Sequence, residues 1–417
     1  MLPLRETGTG TPPDAAGIEL LLRFARAGHR AGYPTADLEE RLLALAAYVG
    51  IDGAEVSATP TLIELSVGAF PEQRNFSLRV HPAPVDLDAI ARLDEVVQDV
   101  VEAKLDAEGA LAAVADVEAH PLRRRWPVIV AAYAVAGAAL TPLLGGAWRE
   151  AVAGGVVGLL VGAVVLATQR RARTEPMVAP IAAIAASFAA AALVELGVRA
   201  SADIVTLAAL VTLLPGMRLT IGMRELSTDH LQSGVANMAS ALVQLLGLVF
   251  GVGIGRSIAL AWFGPAEQLT PDFGFDTANV AAAVAAALAF TITLRAQYRD
   301  AWLMCSAALL ALFANTAGKE VVGTQAAVFG AALAVGLVGG LAGARLRRSP
   351  LVFLVPGVLI LVPGSAGFNS ALQLLTNQTV SGVTTAFDTF VTAMSIAYGL
   401  MVANIVAPRT FTGEERT

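Results

Sequence analysis

The chain has 417 residues, 56% of them hydrophobic and only 15% charged, with a mean hydropathy of +0.66. That composition excludes an ordinary soluble protein of this size. A formal net charge of −6, with basic residues gathered at helix ends, gives no support to nucleic-acid binding, and the single cysteine, Cys305, rules out an internal disulfide framework.

In chain order, residues 1–17 are rich in Gly, Thr and Pro and read as a disordered tail without the basic, apolar and small regions of a secretory signal. Ile18 to Ala25 has helical periodicity. Asp37 to Tyr48 reads as a second helix with Pro34 at its entrance. Glu55 to Val67 and Asn75 to Val80 mix β-branched, aromatic and polar residues and read as two strands, the first bent at Pro60. Asp86 to Leu105 and Asp106 to Ala119 form two further amphipathic helices. Residues 18–125 therefore make a small α+β domain. Ser57, Thr59, Thr61, His29 and His81 could in principle make a hydrolase-like site in it. There is no Gly-x-Ser-x-Gly elbow, His-Glu-x-x-His pair or phosphate loop, so a regulatory or assembly role fits better.

Ten apolar segments follow, at 126–145, 151–168, 177–197, 203–216, 231–260, 277–294, 301–318, 322–343, 350–363 and 381–407. A helical span needs ~20 apolar residues. The fourth and ninth are short for this, and each ends at a Pro-Gly pair. A discontinuous helix explains both facts; the alternative is a kinked continuous helix.

The second half repeats itself at one offset. Leu213-Leu214-Pro215-Gly216 returns 148 residues later as Leu361-Val362-Pro363-Gly364, and the same offset carries Ser233-Gly234-Val235 onto Ser381-Gly382-Val383. Span one maps onto six and so on through ten, giving repeats at 126–268 and 269–408 followed by a tail at 409–417. Five spans per repeat is an odd number, so the second copy is inverted. Paired interruptions in inverted membrane repeats point to a transport site. Orientation comes from arginine. With residues 1–125 in the cytoplasm, the inner loops hold Arg123, Arg124, Arg125, Arg170, Arg171, Arg173, Arg218, Arg224, Arg295, Arg299, Arg345, Arg347 and Arg348, and the tail adds Arg409 and Arg416. The outer side holds only Arg149, Arg199, Arg256 and Lys319. The reading is a polytopic α-helical membrane protein of about ten transmembrane helices in two inverted five-helix repeats, with a cytoplasmic N-terminal α+β domain and a cytoplasmic C-terminus.

The chain from about residue 18 to 407 resembles the threonine/serine exporter family. The resemblance is carried by Phe24-Ala25-Arg26-Ala27-Gly28-His29-Arg30-Ala31-Gly32, Leu38-Glu39-Glu40-Arg41-Leu42 and Glu55-Val56-Ser57-Ala58-Thr59-Pro60-Thr61. In the apolar part it is carried by Leu213-Leu214-Pro215-Gly216-Met217 with Gly222-Met223-Arg224-Glu225-Leu226. A second module joins Phe353-Leu354-Val355-Pro356-Gly357 to Val362-Pro363-Gly364-Ser365-Ala366-Gly367. The resemblance implies export of threonine and serine across a bacterial inner membrane, driven by the proton motive force. Substrate, protons and bilayer are the partners implied; no cofactor or metal is expected, and a homo-oligomer is left open. A passive amino-acid channel and a membrane-anchored hydrolase are the alternatives.

An exported amino acid presents a carboxylate and an ammonium. Helix N-termini beside a break offer free N–H groups to the first, and a carbonyl freed by proline accepts from the second. Pro215, Gly216, Pro363, Gly364 and Ser365 are therefore candidate substrate contacts, and neither glycine is expected to matter for packing. Asn237, Ser240 and Gln244 share one helical face, and their repeat mates are Thr385, Asp388 and Thr392. A polar stripe on an apolar helix faces the bundle or a cavity, which adds Asn237, Ser240, Gln244 and Thr385 to the substrate set. Asp388 lies about eight residues into the last span, where an unpaired carboxylate costs ~3 kcal/mol or more; it is the candidate for proton coupling. Arg218 and Arg224 follow the first break on the inner side and are candidates for substrate entry, against a plain role as inner-side anchors.

The inverted arrangement puts the loop around Gln378 outside. With Cys305 replaced, Gln378→Cys should react only with an impermeant thiol reagent added from outside the cell. Labelling from the cytoplasmic side alone would rule the arrangement out.

Overall fold

The computed structural model describes residues 15–68, 71–81, 83–169, 177–264 and 276–406. Of the tail expected to be disordered at 1–17, residues 1–14 lie outside them, as do Arg170, Arg171, Arg173 and the tail from 407, whereas Ala15, Ala16 and Gly17 open the first helix.

Residues 15–119 build an α+β unit. Helix α1 (Ala15–Ala31) and α2 (Thr35–Tyr48) precede a sheet of β1 (Glu55–Ala58), β2 (Leu62–Val67) and β3 (Arg74–Arg79), and α3 (Leu87–Val101) and α4 (Ala107–Ala119) follow. The sheet is antiparallel in the order β1-β2-β3, with Glu55 opposite Ser66 and Leu62 opposite Arg79. Period-2 alternation buries Ile63, Leu65 and Val67 against the helices. Asp86 and Asp106 cap α3 and α4 by accepting from the backbone N–H of Ala89 and Gly109. The single bent strand expected over Glu55–Val67 is two strands. Pro60 lacks an N–H, and Thr59 closes a turn around it, exchanging backbone and side-chain bonds with Leu62 at 2.7–3.1 Å.

A buried ionic cluster ties α2 and the turn that precedes it to α3. Arg41 Nε donates to Asp94, and Tyr33 donates its hydroxyl to Asp94 at 2.7 Å and to the Ile90 carbonyl at 2.9 Å. Burial, reinforced by the Asp94 charge, pushes the Tyr33 hydroxyl well above its usual range.

The apolar part runs α5 (Trp126–Leu143), α6 (Trp148–Gln169), α7 (Val178–Glu195), α8 (Ala202–Leu210), α9 (Gly216–Ser227), α10 (Leu231–Phe263), α11 (Asp276–Thr293), α12 (Ala301–Val322), α13 (Thr324–Leu346), α14 (Pro350–Leu361), α15 (Gly364–Leu375) and α16 (Thr379–Val406). Among the described residues, eight stretches are long and apolar enough to cross a membrane, with α14 and α15 counted together, and the bent α8–α9 pair makes a ninth. The apolar part of α11, Asn279–Thr293, is shorter than the others, so the expected tenth span is not met by length within the described residues.

Packing recurs between the two halves. Helix α10 lies on α7 as α16 lies on α13, and α5 lies on α6 as α11 lies on α12. At Gly251 of α10 a Cβ would run into Pro180 and Ala183 of α7; at Gly399 of α16 it would run into Phe329 and Ala332 of α13. The repeated Ser-Gly pairs also gain a reason. Gly234 and Gly382 let α10 and α16 fold back on Leu226 and Leu374, contacts that a side chain would block. The hairpins turn through left-handed residues Asp229 (φ 63°) and Asn377 (φ 60°), again 148 apart.

The α+β unit docks on the arginine-bearing loops. Arg295 pairs with Asp86 at 3.1 Å, Arg347 with Glu102 at 3.0 Å and Arg348 with Glu95 at 3.0 Å. Arg124 donates to the Ala296 carbonyl at 2.7 Å and lies 3.8 Å over the Tyr298 ring. Gln297 donates to Asp88.

Removing one member of a buried pair strands the other. Asp94→Leu should destabilise the full chain by ~3–5 kcal/mol, seen as a lowered midpoint in thermal unfolding of the detergent-solubilised protein. Adding Arg41→Met should recover part of the loss; a double variant no better than the single would show that the charge is not the reason.

Candidate functional site: two crossed helix breaks

Both breaks have the same local cause. Proline pushes the residue before it out of the helical region and cannot donate to the preceding turn. Leu214 sits at φ −67°, ψ 130° and Val362 at φ −63°, ψ 131°. The prolines follow at φ −80°, ψ 34° for Pro215 and φ −80°, ψ 37° for Pro363. Helices α9 and α15 start immediately afterwards, so the first N–H groups of each have no intrahelical acceptor. The first bonds back to the prolines are Leu219 N–H to the Pro215 carbonyl at 3.0 Å and Gly367 N–H to the Pro363 carbonyl at 2.9 Å. The first pair is bent by 54°.

The two breaks touch. A Cβ at Gly364 would lie 3.2 Å from Leu214 Cβ and 3.6 Å from Gly216 Cα, and one at Gly216 would overlap the Val362 side chain. This corrects the expectation that the glycines are indifferent to packing: Gly216 is required by the close approach of the opposite break.

A polar network surrounds the first break. Gln244 donates to the Leu213 carbonyl, released by the break, at 2.6 Å. Arg218 donates to Gln244 Oε1 at 3.0 Å and to the Ser240 hydroxyl at 3.1 Å. Asn237 donates to Glu225 Oε2 at 2.6 Å. The mate of that last bond exists in the second half, where the Thr385 hydroxyl donates to Gln373 Oε1 at 3.1 Å.

A cavity of about 800 Å³ runs from the crossed breaks to the α+β unit, a size suited to a small molecule. Of the residues singled out in the sequence, Pro215, Gly216, Arg218, Asn237, Gln244, Gly364 and Ser365 line it. Ser240 adjoins through Arg218. Pro363 belongs to the second break but not to the cavity wall, and Thr385 lies on α16, bonded to Gln373 of α15. Asp388 is on an exposed face of α16, away from the cavity. Arg224 points instead into the α+β interface, paired with Asp37 at 2.8 Å, which leaves no open guanidinium for substrate entry. Burial would raise the Asp37 carboxyl, but Arg224 and Arg41 together hold it below its usual range. His230 meets Glu39 at 3.0 Å and the Ser233 hydroxyl donates to the Ala58 carbonyl at 3.2 Å.

Sequence reading missed Glu225 and Thr35. Glu225 is 1% exposed, lines the cavity, and accepts from the Thr35 hydroxyl of the α+β unit at 2.5 Å. The available signal was the 148-residue offset itself, which carries the Glu225–Asn237 spacing onto Gln373–Thr385. In the α+β unit, Thr59 is occupied in its turn, and burial lowers the pKa of His29, which also lines the cavity.

Two family models cover almost the whole chain. One, described as "Putative threonine/serine exporter", matches residues 19–259, and the other, described as "Threonine/Serine exporter, ThrE", matches residues 279–406. The chain belongs to the threonine/serine exporter family. A "Threonine/serine exporter" of Corynebacterium glutamicum is 24% identical over 332 residues, covering 77% of this chain and 67% of that protein. A "Probable threonine/serine exporter" of Mycobacterium tuberculosis is 26% identical over 416 residues, covering 94% and 76%. An uncharacterised protein of Schizosaccharomyces pombe is 26% identical over 333 residues, covering 72% of this chain and 38% of its own length. No solved structure matches the chain. The residues matched by the two models contain the membrane-length apolar helices, so this member of the threonine/serine exporter family is a membrane protein.

The Gly216 contact is testable. Gly216→Ala should lower the unfolding temperature and transport together, because the new methyl overlaps Val362. Val362→Ala on the same chain should restore most of both. A Gly216→Ala protein indistinguishable from wild type would show that the breaks do not touch.

Proposed function

We propose that the chain exports threonine and serine from the cytoplasm by alternating access, coupled to proton entry across a bacterial inner membrane. The observation that carries this reading is the crossing of two like helix breaks at the wall of one cavity. Family membership and the names of the Corynebacterium and Mycobacterium relatives supply the substrate class. On this reading residues 126–268 and 269–408 are inverted five-helix repeats, and ten spans cross the bilayer. Residues 18–125 are a cytoplasmic domain, flanked in sequence by a short tail at 1–17, and the tail at 409–417 is cytoplasmic too. The recurrence of α7–α10 packing in α13–α16, and of left-handed hairpin residues at Asp229 and Asn377, supports the repeat.

The cavity reaches the α+β unit, which on this reading makes it the inward-open chamber. Arg218 and the free N–H groups at the start of α9 suit a carboxylate. Asn237, Gln244 and Ser365 line the same space and Ser240 holds Arg218, giving hydrogen bonds for a hydroxylated amino acid. Pro363, Gly364 and Thr385 serve the opposite face of the site when the halves exchange roles. Asp388, the mate of Ser240, is a carboxylate in an otherwise charge-poor half and carries the coupling proton.

In proteoliposomes, labelled threonine should accumulate only when a proton gradient is imposed; equilibration without one would identify a passive channel. Asp388→Asn should lose gradient-driven accumulation and keep threonine counterflow. Unchanged accumulation would remove Asp388 from the coupling step.

A further inference from the structure

Glu225 has no role in the mechanism above, yet its surroundings are unusual. It lies on α9 at the cavity wall and is almost completely buried. Both carboxylate oxygens accept from neutral donors, the Thr35 hydroxyl at 2.5 Å and the Asn237 amide at 2.6 Å. Among the described residues no cation forms an ion pair with it. The guanidinium groups and the imidazole on and beside α9 have other partners: Arg224 pairs with Asp37, Arg41 with Asp94 and His230 with Glu39, and Arg218 donates to Ser240 and Gln244. A buried carboxylate without a counter-charge is unfavourable, and a cationic ligand relieves it.

Arg218 precedes Glu225 by seven positions, two turns along the same face and ~10 Å along the axis. Arg218 therefore lies at the break end of the cavity and Glu225 at the end facing the α+β unit. A guanidinium and a carboxylate so disposed on one wall match the opposite charges of a zwitterion. The positions 148 residues on are Ala366 and Gln373, both neutral. Gln373 accepts from Thr385 where Glu225 accepts from Asn237. The two halves thus share a hydrogen-bonding frame and differ in charge.

We propose that Glu225 binds the ammonium group of the amino-acid substrate on the cytoplasmic side, and that its neutral mate Gln373 favours release on the opposite side. The inference rests on the exporter reading above and adds to it the residue that recognises the amine. It also gives Thr35 a part, since an incoming ammonium displaces the hydroxyl that the α+β unit now presents to Glu225.

The test uses the full-length chain in detergent and two probes, threonine and 3-hydroxybutyrate, which keeps the hydroxyl and carboxylate but lacks the amine. Wild type should bind threonine at least about tenfold more tightly than 3-hydroxybutyrate. Glu225→Gln should remove that difference by weakening threonine alone, Glu225→Asp should restore part of it, and Thr35→Val should not weaken threonine. Thermal unfolding of each variant establishes that it is folded. Equal wild-type affinity for the two probes overturns the inference even if Glu225→Gln fails to fold. So does a folded Glu225→Gln with wild-type threonine affinity, including the case in which it loses only its response to a pH gradient and Glu225 is a proton carrier. Wild type that does not bind threonine at all overturns the exporter reading and this inference with it.

Discussion

A proline inside a membrane helix removes a donor, and hydrocarbon offers no water to replace it. The backbone groups it frees must then be met within the protein or by something the protein binds. Helices α5 and α14 run on through such a proline at Pro142 and Pro356, but at Pro215 and Pro363 the helix breaks, and much of the central architecture follows from how those two breaks are met. Gln244 covers the Leu213 carbonyl. The glycines after each proline let the two breaks lie against each other. The free N–H groups that begin α9 then face a cavity instead of lipid, and a polar site becomes tolerable at that depth.

The α+β unit completes the arrangement from one side. Its acidic helix α3 meets the arginines of the 294–300 and 347–349 segments, while α2 and β1 meet α9 and the start of α10. Arginines that a topology argument counts as anchors to the cytoplasmic leaflet are, at Arg224, Arg295, Arg347 and Arg348, partners for carboxylates of the same chain. The same arginines thus have partners within the chain as well as any they find at the bilayer. The positive rim seats an acidic domain, and charge screening by salt would weaken the exposed pairs more than the buried Arg224–Asp37 pair.

Much of this was legible in the sequence. The Pro-Gly offset located both breaks because proline and glycine act through local backbone geometry, which needs no tertiary context. Helix positions were legible from apolar runs, and small-residue contacts such as Gly399 on Phe329 show why the runs are so rich in Gly and Ala. What was not legible depended on contacts between distant segments. Thr59-Pro60-Thr61 read as a bend because the bonds from Thr59 to Leu62 are a matter of side-chain geometry. Gly216 looked replaceable because Val362 is far away in sequence. Arg224 looked available because Asp37 lies in another domain, and Glu225 was hidden beside it in a polar stretch that read as a loop margin. Charge partners across 190 residues leave no local trace.

The docking of the α+β unit has a mechanical meaning. It grips both halves of the apolar part at once, through α2 at α9 and through α3 at the loops flanking α12 and α14. Any rocking of one half against the other would shear this strap, so one grip must slip. The grip on α9 is the dry one, with Arg224 and Asp37 both largely covered, while Arg295, Arg299 and Arg347 are about half exposed. Water can take over the second set as it lets go. On the alternating-access reading the unit would then ride with the first half as a rudder does with its post.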